Sequence, residues 1–461
     1  MERIEKDTLG EVRVPQNAYW GAQTQRALEN FQISNLKFPK SFIKALAYVK
    51  LACLEVNYEL GKIPQNYYNA IKQAINEIIE GKFDDQFPLD IFQTGSATST
   101  NMNINEVIST RANEILTGKR ITKEPIHPND HVNMGQSSND VIPTAMNVSA
   151  YYETKYKLIP SIEHLYQTIV KKSLELKDVI KTGRTHLMDA MPISFEQELS
   201  GWATQILYAK HRIESTFTRL RELAIGGTAV GTGINTHPNF GKKVAEKLSK
   251  LLNLDFIEAN NHFEAQSSRD SILELSSALK ILATNLIKIS NDLRLMNSGP
   301  IAGFSEIILP ELQPGSSIMP GKVNPVIPEA VRMVGVQVIA NDLSITISNS
   351  LGEFELNVMM PIMIYNILNS IEILTNACYV LADKCIKDFI VNKEHVEELL
   401  YRNPIIATIL NPIIGYDKSA EVVKRALKEK RSVKEIVVEM GYLTKEEAEK
   451  IFDLNKLINP Q

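Results

Sequence analysis

No proline interrupts the chain between Pro238 and Pro300, and within that span Ile272, Leu275, Leu279, Leu282, Leu286, Ile289, Leu293 and Met296 recur at alternating steps of three and four. That spacing puts one unbroken apolar seam along a single long helix. Gly299-Pro300 ends it in the order expected of a helix terminus. Further long helical runs follow Pro143 (through Leu158, Ile162, Leu165 and Ile169, with Pro160 as a kink), cover 186–224, begin after Pro328 (through Val331, Val334 and Val338) and span 361–390. Five such helices in the middle of one chain read as an elongated bundle. Seam residues on several faces ask for more burial than one chain provides, so helix-on-helix oligomerisation is expected, with the 272–296 seam as its sign.

The flanks differ from the middle. Residues 1–138 carry shorter helices and many turns, 139–390 hold the long helices, and 391–461 form a smaller helical region with polar surface helices near 418–430 and 444–452. Residues 9–14 and 225–235 read as short strands or extended loops. A chain of 461 residues exceeds what one core supports. The formal net charge of -4 excludes a nucleic-acid footprint, which needs a strong basic bias. No run of about 18 uninterrupted apolar residues occurs, so no membrane span is expected. The start, Met1-Glu2-Arg3-Ile4-Glu5-Lys6-Asp7, lacks the apolar stretch of a secretory signal, and a cytoplasmic address is the expectation. Cys53, Cys378 and Cys385 have no metal-ligand spacing. Cys378 and Cys385, seven apart on one helical face, read as buried small hydrophobes.

Four segments are dense in Ser, Thr, Asn and Gly where loops are ordinarily charged. Thr94–Glu106 offers neutral donors for carboxylate oxygens, or equally a set of helix caps. In the second, Gln136, Ser137, Ser138 and Asn139 stand just before a helix containing Pro143, an arrangement suited to anion binding at a helix N-terminus. Just upstream, His127 and His131 are spaced by four, but Pro128 between them argues against a shared metal-binding helical face. The third, Gly183–Ala190, holds His186 beside Thr185 near an expected helix start; imidazole is the side chain best suited to proton transfer near neutral pH. The fourth, Gly315–Glu329, has two glycines and three prolines after which no regular helix can form until its end. It carries Ser316, Ser317, Lys322 and Glu329, and its apolar Ile318, Met319, Val323 and Val326 favour burial.

These segments together resemble the fumarase–aspartase superfamily. Gly315–Asn324, GSSIMPGKVN, is close to that superfamily's signature, and the segments 94–106, 127–145, 183–202, 225–240, 315–330 and 352–361 follow in family order. Thr185-His186-Leu187, Gly226–Gly233, Gly321 before Lys322 and Gly352–Asn357 are similar to the metal-free, class II fumarase branch; Ile318 and Val326-Ile327-Pro328 fit the aspartase branch as well. The resemblance implies a mainly α, three-domain lyase fold with a central five-helix bundle. Four bundles would make a core of about 20 helices in a homotetramer.

It also implies the reaction: reversible, cofactor-free hydration of fumarate to (S)-malate in the tricarboxylic acid cycle, with aspartate ammonia-lyase as the alternative. In that reading Ser316 is the base, and loop N–H groups must stabilise its alkoxide. His186, paired with Glu329, acts at the hydroxyl-bearing carbon. Lys322 and Asn324 meet the charge that develops on a substrate carboxylate. Ser96, Ala97, Thr98, Ser137, Ser138, Asn139, Thr185, Ser317 and Val323 complete the dicarboxylate contacts, and His127, Pro128, Asn129 and Asp130 map to a secondary anion site. Two departures stand out: Met134-Gly135 where many fumarases have Lys and Ser, and Glu124 where the bacterial form has Arg. Each active site would be assembled from three subunits, with no metal, nucleic acid or membrane involved.

Overall fold

The computed structural model describes residues 2–459. Its longer helices are α1 (Lys40–Glu59), α2 (Gln65–Ile79), α3 (Thr98–Thr117), α4 (Ser138–Glu153), α5 (Ile159–Glu175), α6 (Phe195–Ser215), α7 (Asp270–Met296), α8 (Val326–Asn349) and α9 (Met360–Leu381). Among the described residues every sheet has only two strands. The two longest are hairpins, β1 (Glu2–Asp7) with β2 (Gly10–Pro15) and β3 (Ile180–Thr185) with β4 (Met188–Ser194).

The chain divides into two compact units, one of residues 1–160, 209–283 and 335–375, the other of 161–208, 284–334 and 376–461. In the first, α1, α2 and α3 bury Leu46, Val49, Ile71, Ile75, Ile104 and Ile108 completely. In the second, the C-terminal helices close around Leu410, Val422, Ile436, Val437 and Ala448. Helices Tyr416–Glu429 and Lys445–Ile451 there match the polar surface helices expected from the sequence.

Several boundaries differ from the sequence reading. The helix expected over 186–224 starts only at Phe195, because 188–194 pairs as β4 with β3. The kink expected at Pro160 is instead a π turn at Thr154–Leu158, which widens the helix before the proline's missing N–H would interrupt it. Ile318 is 83% exposed and Met319 lies open too, so the 315–329 loop does not bury its apolar residues within one chain. All three cysteines are buried, and burial pushes the Cys378 and Cys385 thiols up to about 12.

The 272–296 seam is correct but its meaning changes. All eight residues are buried within the single chain, so this seam leaves nothing for a partner to cover. The uncovered apolar face belongs to α8, where Met333, Val336, Leu343 and Ile347 stand in solvent. By length and mean hydropathy α8 is also the one helix, among the described residues, apolar enough to cross a membrane, although it contains Glu329, Arg332 and Asp342.

Candidate active site

Two helix N-termini meet in the first unit. Ala97 takes a left-handed conformation (φ 53°) as it leads into α3, and Gly95 before it approaches Val358 so closely that a Cβ would lie 1.8 Å from the Val358 carbonyl oxygen. Only glycine fits there. The turn places Ser96 Oγ 2.7 Å from Thr98 Oγ1, and Thr98 Oγ1 lies 2.8 Å from Ser138 Oγ at the start of α4. Three hydroxyls therefore run in a chain between two helix starts whose dipoles both favour negative charge.

Ser137 caps α4 in a capping box. Its Oγ accepts from the Asn139 N–H at 3.2 Å, and its own N–H donates to Asp140 Oδ1 at 2.9 Å. The second Asp140 oxygen accepts from the N–H groups of Gly226 (3.1 Å) and Thr228 (2.9 Å), while Asn139 Nδ2 donates to the Ala229 carbonyl at 2.8 Å. The 226–233 segment is thereby tied to the start of α4. Burial pushes the Asp140 carboxyl up to about 6, against the opposing pull of these donors and of Lys50.

Lys50 is a residue the sequence reading did not single out. It is fully buried in α1, and its Nζ donates to Asn133 Oδ1 (3.0 Å) and Gln136 Oε1 (2.9 Å), fastening the chain that leads into Ser137. Burial pushes its ammonium down to about 7. Its signal was a lone lysine inside the apolar run Ala45–Leu54.

The His127–Asp130 turn also lies in this unit, as the start of a short π helix. His127 Nδ1 accepts from the Asn129 and Asp130 N–H groups at 3.2 and 3.3 Å, and the Asp130 carboxylate stands 3.4 Å from the ring. Pro128 is buried. Desolvation lowers the proton affinity of His131, whose Nδ1 accepts the His127 N–H. Among the described residues no group of histidine, cysteine or acidic side chains has metal-binding geometry.

The second unit carries the residues expected to do proton chemistry. His186 sits not near a helix start but at the tip of the β3–β4 hairpin, between Thr185 and Leu187. Both His186 (φ 57°) and Leu187 (φ 60°) adopt left-handed backbone, as a two-residue hairpin turn of this twist requires. Non-glycine residues there are strained, a feature that clusters at functional sites. The imidazole is held out into solvent.

The 315–324 loop closes on itself. The Gly315 N–H donates to the Lys322 carbonyl at 2.8 Å and Asn324 Nδ2 donates to the Gly315 carbonyl at 2.6 Å. A Cβ on Gly315 would lie 2.2 Å from the Lys322 carbonyl oxygen, which reserves the position for glycine. Inside the loop, Ser316 Oγ accepts two backbone N–H groups, from Ile318 at 3.2 Å and Met319 at 3.0 Å. Ser317 and Lys322 are exposed and Val323 half-buried, and Glu329 follows in the first turn of α8. Among the described residues no hydrogen bond or ion pair joins His186 to Glu329 within one chain.

The lyase family pattern matches residues 10–340, and the pattern for the C-terminus of fumarase C matches 406–459. A class II fumarate hydratase of Xylella fastidiosa is 52% identical over 98% of this chain and 94% of its own. One from Campylobacter jejuni is 48% identical over 100% of this chain and 99% of its own. The crystal structure of a class II fumarase from Schistosoma mansoni superposes with a TM-score of 0.97 at 41% identity, covering 100% of both chains.

Proposed function

The chain belongs to the class II fumarate hydratase family, and from that premise we propose how its own residues carry the reversible hydration of fumarate to (S)-malate. It is a hydro-lyase. In the dehydration direction a weakly acidic C–H next to a carboxylate must lose its proton, and the carboxylate then gathers a second negative charge. Ser316 takes that proton. The observation that carries this role is the pair of N–H groups already aimed at its Oγ, which stabilise an alkoxide as an oxyanion hole does.

Lys322 and Asn324, held by the same loop, meet the developing charge. On the other face His186, oriented by Glu329 of a neighbouring subunit, gives a proton to the departing hydroxide, which leaves as water. Hydration runs the same steps backwards. Thr98, Ser138 and Asn139, with Ser96, Ala97 and Ser137 shaping their turns, hold a substrate carboxylate, and Thr185, Ser317 and Val323 complete the contacts. His127–Asp130 serves as a secondary anion site.

The reading includes a cytoplasmic homotetramer in which three subunits build each site, and a division into domains at 1–138, 139–390 and 391–461. Supporting the shared site, the hairpin tip and the serine loop each stand open on one chain. Supporting the tetramer, α8 leaves an apolar face uncovered.

Fumarate absorbance, followed with L-malate and L-aspartate side by side, tests the assignment. Fumarate is expected from malate alone; release from aspartate alone would make the chain an ammonia-lyase on the same fold. Ser316→Ala is expected to lower kcat by about 10³-fold and His186→Asn by about 10²-fold. A full rate in either variant removes that residue from the chemistry.

A further inference from the structure

A second polar cleft, of about 240 Å3, opens in the first unit beside the N-terminus of α7. Arg269, immediately before that helix, lines it and is 3% exposed. Its backbone is fixed: the Arg269 N–H donates to Asn349 Oδ1 at 2.8 Å, and Asn349 Nδ2 donates to Asp270 Oδ1 at 2.7 Å. Its guanidinium is not. Among the described residues it makes no hydrogen bond or ion pair, and its buried Nε has no partner. A buried guanidinium without a partner is strongly unfavourable, so such groups are ordinarily paired.

The same cleft is lined by carboxylates that have not paired with it. Glu222 and Glu264 form no ion pair or side-chain hydrogen bond among the described residues, although Glu264 is close enough for its charge to act on Arg269. Burial raises the proton affinity of Glu264. Asp270 is engaged by Asn349, and Arg219 lies 3.4 Å from Glu274. What remains is one unpaired buried cation and two unpaired carboxylates lining the same open cleft. A simple anion would satisfy Arg269 and leave the two glutamates repelling it; a simple cation would do the reverse.

We propose that this cleft binds a small zwitterion, an α-amino acid, whose carboxylate pairs with Arg269 and whose ammonium pairs with Glu222 and Glu264. The site is separate from the residues assigned to hydration and does not depend on their roles. Such pairing is charge-assisted hydrogen bonding at both ends of the ligand.

Calorimetric titration of the full-length enzyme tests this, in an equilibrium mixture of fumarate and malate that keeps the catalytic site occupied. The probes are L-alanine, propionate, which lacks the ammonium, and ethylamine, which lacks the carboxylate. L-alanine is expected to bind at least about tenfold more tightly than either fragment. Arg269→Met is expected to abolish alanine binding while fumarate hydration continues. Glu264→Gln, which keeps the side chain's size and removes its charge, is expected to weaken L-alanine by about tenfold and leave propionate no weaker. Absence of L-alanine binding, equal binding of propionate, or unchanged affinity in Glu264→Gln would each overturn the proposal.

Discussion

Helices α7 and α8 are both long and apolar, yet they treat their apolar residues in opposite ways. On α7 the whole seam from Ile272 to Met296 is buried inside the chain. On α8, Val331, Val338 and Ile345 are buried, but so are Asn341, Asp342 and Ser348, while Met333 (68% exposed), Val336 (63%) and Leu343 (60%) face solvent. Ser276 Oγ of α7 donates to Asp342 Oδ1 at 2.8 Å, Lys280 reaches Oδ2, and Asn341 Nδ2 donates to Ser370 Oγ at 3.0 Å. The inward face of α8 is thus partly polar and its outward face apolar, the reverse of a monomer's surface helix. A contiguous exposed apolar face marks an interaction surface. The contrast teaches that α7 spends its apolar face on the chain itself, while α8 leaves one open, the face proposed to meet other chains.

The strongest way to break this contrast is to charge the open face. Val336→Glu with Leu343→Glu is expected to yield a helical, folded monomer by light scattering and circular dichroism, with hydratase activity reduced by at least about 100-fold, as the proposed shared site requires. A tetramer of full activity would show that α8's outer face recruits nothing. Leu282→Ala, on the buried seam, should instead act on stability: a loss of about 2–5 kcal/mol in denaturant unfolding with the oligomer intact at 25 °C. If it dissociates the oligomer, the division of labour between the helices fails. The mildest probe is Ser276→Ala, which removes one of the donors to Asp342 and leaves Lys280; a loss of about 1 kcal/mol is expected, with activity unchanged.

Much of this was legible in order of residues alone. The seam of α7 follows from period. The hydroxyl run at 94–106 and the Ser137–Asn139 caps were readable as helix starts because Ser, Thr and Asn compete for backbone N–H groups wherever a helix begins. That Thr98 and Ser138 touch was not, since nothing in two separate capping signals sets the distance between two helices. His186 was chosen for its chemistry but misplaced: no alternating strand pattern marks 180–194, and its two left-handed tip residues are not glycine or asparagine. Lys50 escaped notice because one charge in an apolar run is ordinarily a stem lying along the surface with its head in water.

Sequence by itself determined the helical class, the seam of α7, the polar segments and, through their combination, the family and its reaction. Tertiary structure decided which apolar face stays open, how two helix starts share one hydroxyl chain, and that the Ser316 oxygen meets two N–H groups. The physical reason is range. Periodicity and capping act over a few neighbouring residues, whereas burial and the pairing of distant polar groups depend on which elements pack together, and only the folded chain settles that.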